Sequence, residues 1–297
     1  MRGLVQVTPL LPLRLSGHDL WLKCESSQTG GSFKLRGASN RLALLSDAEK
    51  QAGVVAFSSG NHAQGVAIAA RRLGMPALIV MPSDAPGPKV AGTRAQGADI
   101  HFYDRMSEDR IAIARSLAEQ RGAVLVPSFD DQHIIAGQGT AGLEILEQCP
   151  EPVRQIVVCC GGGGLAAGLA LACEEAAIVT AEPEGWDDMK RSLEAGRIEP
   201  VGPNPPATAC DALQTPLVSP LTFGVLRERG AHGVAVSEAE VREAVRFAWG
   251  KLRLKVEPGG AAALAAVLAG KVALVPGTVV LLTGSNMDEA AHAEWVG

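Results

Sequence analysis

The stretch Gln155–Cys173 runs for 19 residues without a charge and carries four consecutive glycines, Gly161–Gly164. Its length matches a bilayer span, but the glycines and the alanine-rich continuation deny it the bulk of a membrane helix. Buried strand, glycine turn and buried helix satisfy both the missing charge and the turn. A strand apolar on both faces belongs to a parallel sheet with helices on each side. The same pattern recurs along the chain. Strands are expected at Val54–Phe57, Ala77–Val80, Asp99–Phe102, Ala123–Val126, Gln155–Cys159, Ala177–Ala181 and Val279–Leu282. Helices are expected at Asn61–Leu73, Pro88–Gln96, Ser107–Gln120, Ala136–Glu147, Leu165–Ala176, Glu238–Ala248 and Gly260–Leu268. Glu194–Pro220, with six prolines and few aliphatic residues, reads as a long surface excursion. At 297 residues the chain has room for two α/β domains.

Composition narrows the partners. A net charge of −5 and 4% aromatic residues give no footprint for nucleic acid or for an anionic membrane surface. The apolar run Leu10–Leu15 is broken by Pro12 and Arg14, unlike a secretory signal, so a soluble cytoplasmic protein is expected. Cys24, Cys149, Cys159, Cys160, Cys173 and Cys210 form no C-x-x-C pair. Adjacent Cys159 and Cys160 on a strand point to opposite faces, so free thiols in a reducing compartment are expected.

Three segments carry residues suited to chemistry. In Ser32-Phe33-Lys34-Leu35-Arg36-Gly37-Ala38, Lys34 sits between an aromatic and small residues, after the turn Thr29-Gly30-Gly31. An amine desolvated there can act as a Schiff-base nucleophile; a solvated lysine at a helix start has the same local sequence. Ser58-Ser59-Gly60-Asn61-His62-Ala63-Gln64-Gly65 lies between a strand and a helix. Free amides at that helix start suit a carboxylate, with Ser58 and Asn61 as further donors, although a plain N-cap at Ser59 or Asn61 looks identical. In Gly161-Gly162-Gly163-Gly164-Leu165 the glycines let the backbone approach a phosphate at the positive end of a helix dipole. A rival reading exists for this third segment. Gly162-x-Gly164-x-x-Ala167, with Glu182 placed 20 residues after Gly162, satisfies the dinucleotide fingerprint of an NAD-dependent oxidoreductase.

Together the segments resemble the fold-type II pyridoxal-phosphate enzymes, in the branch of serine/threonine dehydratases and serine racemases. The resemblance runs from Thr8-Pro9-Leu10 through Trp21-Leu22-Lys23 and Ile135-Ala136-Gly137-Gln138-Gly139-Thr140 to Thr283-Gly284-Ser285-Asn286. It implies a tryptophan synthase β-like architecture of two parallel-sheet, three-layer domains with pyridoxal phosphate in the cleft. Residues 1–45 and 131–297 would form the larger, cofactor-binding domain, and residues 46–130 the smaller one that closes on substrate. The resemblance implies Lys34 as the Schiff-base lysine, Phe33 beside the cofactor ring and Asn61 on the ring hydroxyl. Gly161, Gly162, Gly163 and Gly164 would cradle the phosphate, and Thr283 would face the pyridine nitrogen. A hydroxyl there cannot hold that nitrogen protonated as a carboxylate would, which suits prompt β-elimination. Ser58, Gly60, Asn61 and His62 would bind the substrate; for His62, satisfying a backbone group is the other reading.

The implied reaction removes water from a small β-hydroxy amino acid of the L-threonine or L-serine type, giving a 2-oxo acid and ammonia. Lys34 would take the α-proton. Serine racemisation on the same site is the alternative, with Lys34 and Ser59 as opposed acid/bases. Against it, Phe129 stands where racemases tend to carry Asn. Glu182-Pro183-Glu184-Gly185-Trp186-Asp187-Asp188 resembles the family's divalent-metal loop, which would use Glu182, the Trp186 carbonyl and Asp188 for Mg²⁺ or Ca²⁺. A solvated acidic loop reads the same way. Glu257 is either an acid steering the catalytic amines or a surface acid before a helix. A small-molecule amino acid is the expected ligand and a homodimer the expected assembly. The short tail after Asn286 leaves no separate regulatory domain in this expectation.

Overall fold

The computed structural model describes residues 3–85 and 87–297. The first half of the chain forms β1 (Leu10–Leu15), β2 (His18–Cys24), α1 (Lys34–Ala43), α2 (Asp47–Ala52), β3 (Val54–Phe57), α3 (Asn61–Arg72), β4 (Ala77–Pro82), α4 (Gly87–Ala95), β5 (Asp99–Tyr103), α5 (Arg110–Arg121) and β6 (Val124–Leu125). There follow α6 (Gln132–Gln148), β7 (Gln155–Cys159), α7 (Gly164–Ala172), β8 (Ala177–Pro183), α8 (Asp188–Ala195), α9 (Pro220–Glu228), β9 (His232–Val236), α10 (Glu238–Leu252), α11 (Pro258–Leu268), β10 (Thr278–Leu282) and α12 (Glu289–Val296). The polypeptide divides into two compact units, residues 1–6 with 34–137, and residues 7–33 with 138–297. These limits differ from a division at 45 and 130, because α1 packs on α3 and shares its core.

The first unit is a parallel four-stranded sheet in the order β5-β4-β3-β6. The period of two along each strand sorts side chains to opposite faces. Val54, Ala56, Ile79 and Met81 pack with α1 and α3 on one side. Val55, Leu78 and Val80 pack with Ala114 and Ala118 of α5 on the other. Ser46 starts α2 with a capping box, accepting from the Glu49 amide while Glu49 accepts from the Ser46 amide.

The second unit holds a six-stranded sheet in the order β1-β2-β10-β7-β8-β9. Its strands are parallel except for the edge hairpin β1–β2, where the run Leu10–Leu15 pairs antiparallel with His18–Cys24. Pro12 within an edge strand costs no ladder bond that a central strand would need. Again alternate residues divide: Val157, Cys159, Val280 and Leu282 face α10 and α11. Ile156, Val158, Val279 and Leu281 face α6, α7 and α9. Glu194–Pro220 is irregular apart from the end of α8 and one turn of 3₁₀ helix at Asp211–Leu213, in keeping with its prolines.

Glycines set the spacing of the helices. A Cβ on Gly139 of α6 would lie 2.7 Å from the Gly168 carbonyl oxygen of α7, so these two helices touch backbone to backbone. Gly224, inside α9, has nothing within 4 Å of its would-be Cβ. Gly139→Val is expected to destabilise the protein by about 1–3 kcal/mol through overpacking. Gly224→Ala is expected to stabilise it by about 0.5–1 kcal/mol by lowering unfolded-chain entropy. Urea titration checks both, and a Gly139→Val midpoint equal to that of the parent would contradict the close helix contact.

Candidate functional site

In a parallel sheet, ligands collect beyond the carboxyl ends of the strands, where the winding direction reverses. In the first unit that point lies between β3 and β6, since β4 and β5 were added on the far side of β3. The loops that diverge there are Ser58–Gly60 and Val126–Phe129. Ser58 donates its amide to Val80 O at 3.1 Å, and Gly60 donates its amide to Ser58 Oγ at 3.1 Å. Gly60 is the N-cap of α3 and no side chain caps the helix, so a simple Ser59 or Asn61 cap is not what the turn provides. A helix start without a cap suits an anion. Asn61 and His62 are buried in its first turn, and Ser59 is half-buried beside them.

The opposite loop contributes carbonyl oxygens. Lys34, the first residue of α1, donates from Nζ to Ser128 O at 3.0 Å, so it is held rather than solvated. His62 Nε2 lies 3.0 Å from Val126 O; a carbonyl only accepts, so Nε2 carries the proton. Burial, reinforced by the Lys34 ammonium, pushes the His62 pKa down to about 3 despite the pull of the Val126 carbonyl. The ring is therefore neutral. Gly65 explains the end of its own segment: a Cβ there would stand 3.0 Å from the Lys34 carbonyl carbon, so its absence lets α3 reach the start of α1.

In the second unit the winding reverses between β7 and β10. The loop after β7 is Cys160–Gly163, and Gly163 caps α7 with φ of 84°, a conformation open to glycine. A Cβ on Gly163 would meet Met189 Cε at 2.8 Å, and one on Gly161 would meet Thr215 Oγ1 at 3.0 Å. Thr222 donates to Gly162 O at 2.8 Å and pins the loop from α9. The loop after β10 begins with Thr283, whose hydroxyl lies 3.0 Å from Cys159 Sγ. Phe33, the chain neighbour of Lys34, donates its amide to Thr283 O at 3.2 Å. Within the second unit, a glycine loop at an open helix start and a buried hydroxyl are groups of the kind that suit a phosphate and a ring nitrogen; within the first, a held amine and an uncapped helix start suit an aldehyde and a carboxylate.

Glu182 is fully buried at the end of β8, its two oxygens accepting from the Met189 and Lys190 amides at 3.0 and 2.8 Å. This carboxylate caps α8 and is turned away from the role of ribose ligand that the dinucleotide reading needs. Asp188 is also fully buried, and among the described residues neither of its oxygens has a hydrogen-bond partner. Burial pushes the Asp188 carboxyl up to about 7, against the pull of nearby amides and Arg191. Burial, with Asp188 as neighbour, holds Glu182 well above the carboxylate range. Trp186 is anchored by its indole to Pro206 O at 2.8 Å. No group of three or more His, Cys, Asp or Glu able to hold a metal occurs among the described residues; the two acids and a carbonyl are a smaller set. Glu257 is buried at the N-cap of α11, not a surface acid.

Four residues in or beside these loops have no local signal in the sequence. The Ser128 and Val126 carbonyls carry no side-chain signature. Thr222 follows an N-cap serine and proline that mark a helix start, yet nothing in them points to Gly162. Arg110, first residue of α5, places its guanidinium 5.9 Å from the ring centre of Phe57, the residue before Ser58.

The buried neutral histidine has a pH consequence. His62 binds a proton near pH 6.5 when unfolded but only near pH 3 when folded. The unfolded state thus binds more protons between these values, and stability falls as pH drops below about 6.5. At pH 5 this one group is expected to cost about 2 kcal/mol. Urea midpoints at pH 7 and 5 should fall more for the parent than for His62→Gln; equal falls would contradict the assignment.

Comparisons with known proteins identify the family. The family described as pyridoxal-phosphate dependent enzyme matches residues 1–284. An L-threo-3-hydroxyaspartate ammonia-lyase from Pseudomonas sp is 43% identical over 99% of this chain and 94% of its own length. A serine racemase from Schizosaccharomyces pombe is 38% identical over 94% of this chain and 87% of its own. The solved structure of maize serine racemase superposes with a TM-score of 0.92 at 36% identity, covering 98% of this chain and 91% of that one. With that family matched across both glycine-lined and lysine-bearing turns, the chain belongs to the pyridoxal-phosphate dependent enzymes, in the branch of hydroxy-amino-acid ammonia-lyases and serine racemases.

Proposed function

We propose that this ammonia-lyase acts on a small L-β-hydroxy amino acid with a second carboxylate, of the 3-hydroxyaspartate type, giving a 2-oxo acid and ammonia. The observation that supports the substrate class is Arg110, an exposed cation 5.9 Å from the ring centre of Phe57, the residue before Ser58. A guanidinium there suits a side-chain carboxylate by paired hydrogen bonds. The name of the Pseudomonas relative points the same way.

When bound, pyridoxal phosphate supplies an aldehyde for the substrate amine and a ring that takes up the electron pair left by the α-proton. Lys34 Nζ takes that proton, oriented by the Ser128 carbonyl. Ser58, Asn61 and the main chain at Gly60 and His62 hold the α-carboxylate, with His62 adding no charge of its own. Asn61 also meets the ring hydroxyl, Phe33 the ring face and Thr283 the ring nitrogen. Gly161–Gly164 hold the phosphate. Racemisation with Ser59 opposing Lys34 is the second reading, supported by the serine racemases among the relatives. Ser59→Ala then removes racemisation and spares elimination.

A divalent cation, Mg²⁺ or Ca²⁺, held by Glu182, Asp188 and the Trp186 carbonyl, would neutralise two buried acids and use the oxygens that Asp188 leaves unpartnered. Exposed Leu143, Leu146 and Leu171 on the adjoining helices α6 and α7 support a homodimer. Six free thiols support a reducing, cytoplasmic setting.

Release of 2-oxo acid is to be followed with L-threo-3-hydroxyaspartate, L-serine and L-threonine. Arg110→Leu should lower kcat/KM for hydroxyaspartate by about 10- to 100-fold, as for a lost charged pair, and change serine turnover far less. Equal losses on both substrates would contradict the carboxylate role, and full activity of Lys34→Ala would contradict the mechanism. For the cation, Mg²⁺ or Ca²⁺ should raise the Tm of the parent and leave Asp188→Asn unmoved. A parent Tm that does not respond to either ion would refute the site.

A further inference from the structure

Cys159 ends β7 and Thr283 follows β10, one on each side of the reversal in the six-stranded sheet. Both are buried, and Sγ lies 3.0 Å from Oγ1. The Thr283 main chain is fixed in both directions, donating to Gly260 O and accepting from Phe33 N, each at 3.2 Å. What this leaves open is the direction of the hydroxyl proton. A hydroxyl has one proton to give and two lone pairs, and Cys159 Sγ is its side-chain hydrogen-bond partner among the described residues. The rest of its capacity is available to a ligand.

The pair can bond in two directions, with opposite consequences. If the thiol donates, the threonine proton remains for an unprotonated ring nitrogen. If the hydroxyl donates to sulfur, only a lone pair remains, which demands a ring nitrogen bearing a proton and a positive charge. Sulfur is a weak acceptor. A buried cationic ring with a hydroxyl in place of a carboxylate is costly.

We propose that Cys159 is a positioning residue whose S–H donates to Thr283 Oγ1 and so directs the Thr283 O–H at the cofactor's ring nitrogen, keeping that nitrogen unprotonated. The proposal rests on the reading of Thr283 as the residue that faces the nitrogen, and it adds a second residue that sets the electronic character of the ring.

The test compares the holoenzymes of the parent, Cys159→Ala, Cys159→Ser and Thr283→Val. Two readouts are taken without turnover: the absorption band of the bound cofactor as a function of pH, and the rate of cofactor loss to a trap. Cys159→Ala should move the band in the same direction as Thr283→Val. It should also speed cofactor loss by about two- to tenfold, the range of one neutral hydrogen bond. Cys159→Ser retains a donor and should return both readouts close to the parent. Cys159→Val, near the thiol in volume and without a donor, should behave as Cys159→Ala and covers the case in which the alanine variant folds poorly. A Thr283→Val shift with Cys159→Ala unchanged would overturn the proposal and leave the Thr283 reading standing. Cys159→Ser matching Cys159→Ala would overturn it too, as a packing effect. If neither Thr283→Val nor Cys159→Ala moves either readout, the proposal and the reading beneath it both fall.

Discussion

Reversal of the winding direction within a parallel sheet is the constraint on which this structure depends. Right-handed crossovers carry the carboxyl ends of the parallel strands to one edge, and only where the order turns back do neighbouring loops splay apart. Each unit has one such point, between β3 and β6 and between β7 and β10. The Ser58–Gly65 segment and the Gly161–Gly164 segment leave the sheet there, and so do the partners Ser128 and Thr283. Glycine is required where backbone must come close, at Gly65 against Lys34 and at Gly163 against Met189 and Thr222. The chemistry-bearing segments are thus the places where the topology opens a crevice and the side chains withdraw from it.

Polar groups inside the protein are each settled differently, and the differences separate scaffold from site. Lys23 is fully buried and donates to Thr8 O, Glu144 Oε2 and Gln148 Oε1, between 2.6 and 2.9 Å, which ties β2 to the end of α6. Such a pair repays its desolvation by complete hydrogen bonding, and removal of one partner leaves a stranded charge. His62 takes the other course and stays neutral. Asp188 takes neither: among the described residues no well-formed hydrogen bond reaches either oxygen, and burial pushes its carboxyl up to about 7.

Much of this was legible in the sequence. Gln155–Cys159 and Val54–Phe57 are strands to the residue, because short β-branched runs bounded by glycine and serine turns admit little else. Lys34, Asn61 and the glycine loop stood out through unusual spacing of small residues around a polar one. The hairpin β1–β2 is hard to read from the sequence because Pro12, a poor strand residue, and Arg14 interrupt the apolar run; both take the exposed alternate positions of an edge strand, which tolerates them. Helix α1 was hidden by Gly37 and Ser39, weak helix formers that serve close packing on α3. Glu182 fits two motifs equally well on paper, and its bonds to the Met189 and Lys190 amides turn it from the ribose role that one of them needs. Arg110 and Cys159 have no local signature, since the residues they meet, Phe57 and Thr283, lie far away in the chain.

The central claim is that Lys34 is the lysine that bonds the cofactor. The most direct test is to load the protein with pyridoxal phosphate, reduce it with borohydride, digest it and map the modified peptide. The account predicts a single stable pyridoxyl adduct, on Lys34 in the peptide that contains Phe33 and Leu35. An adduct on another lysine, with Lys34 unmodified, would contradict it.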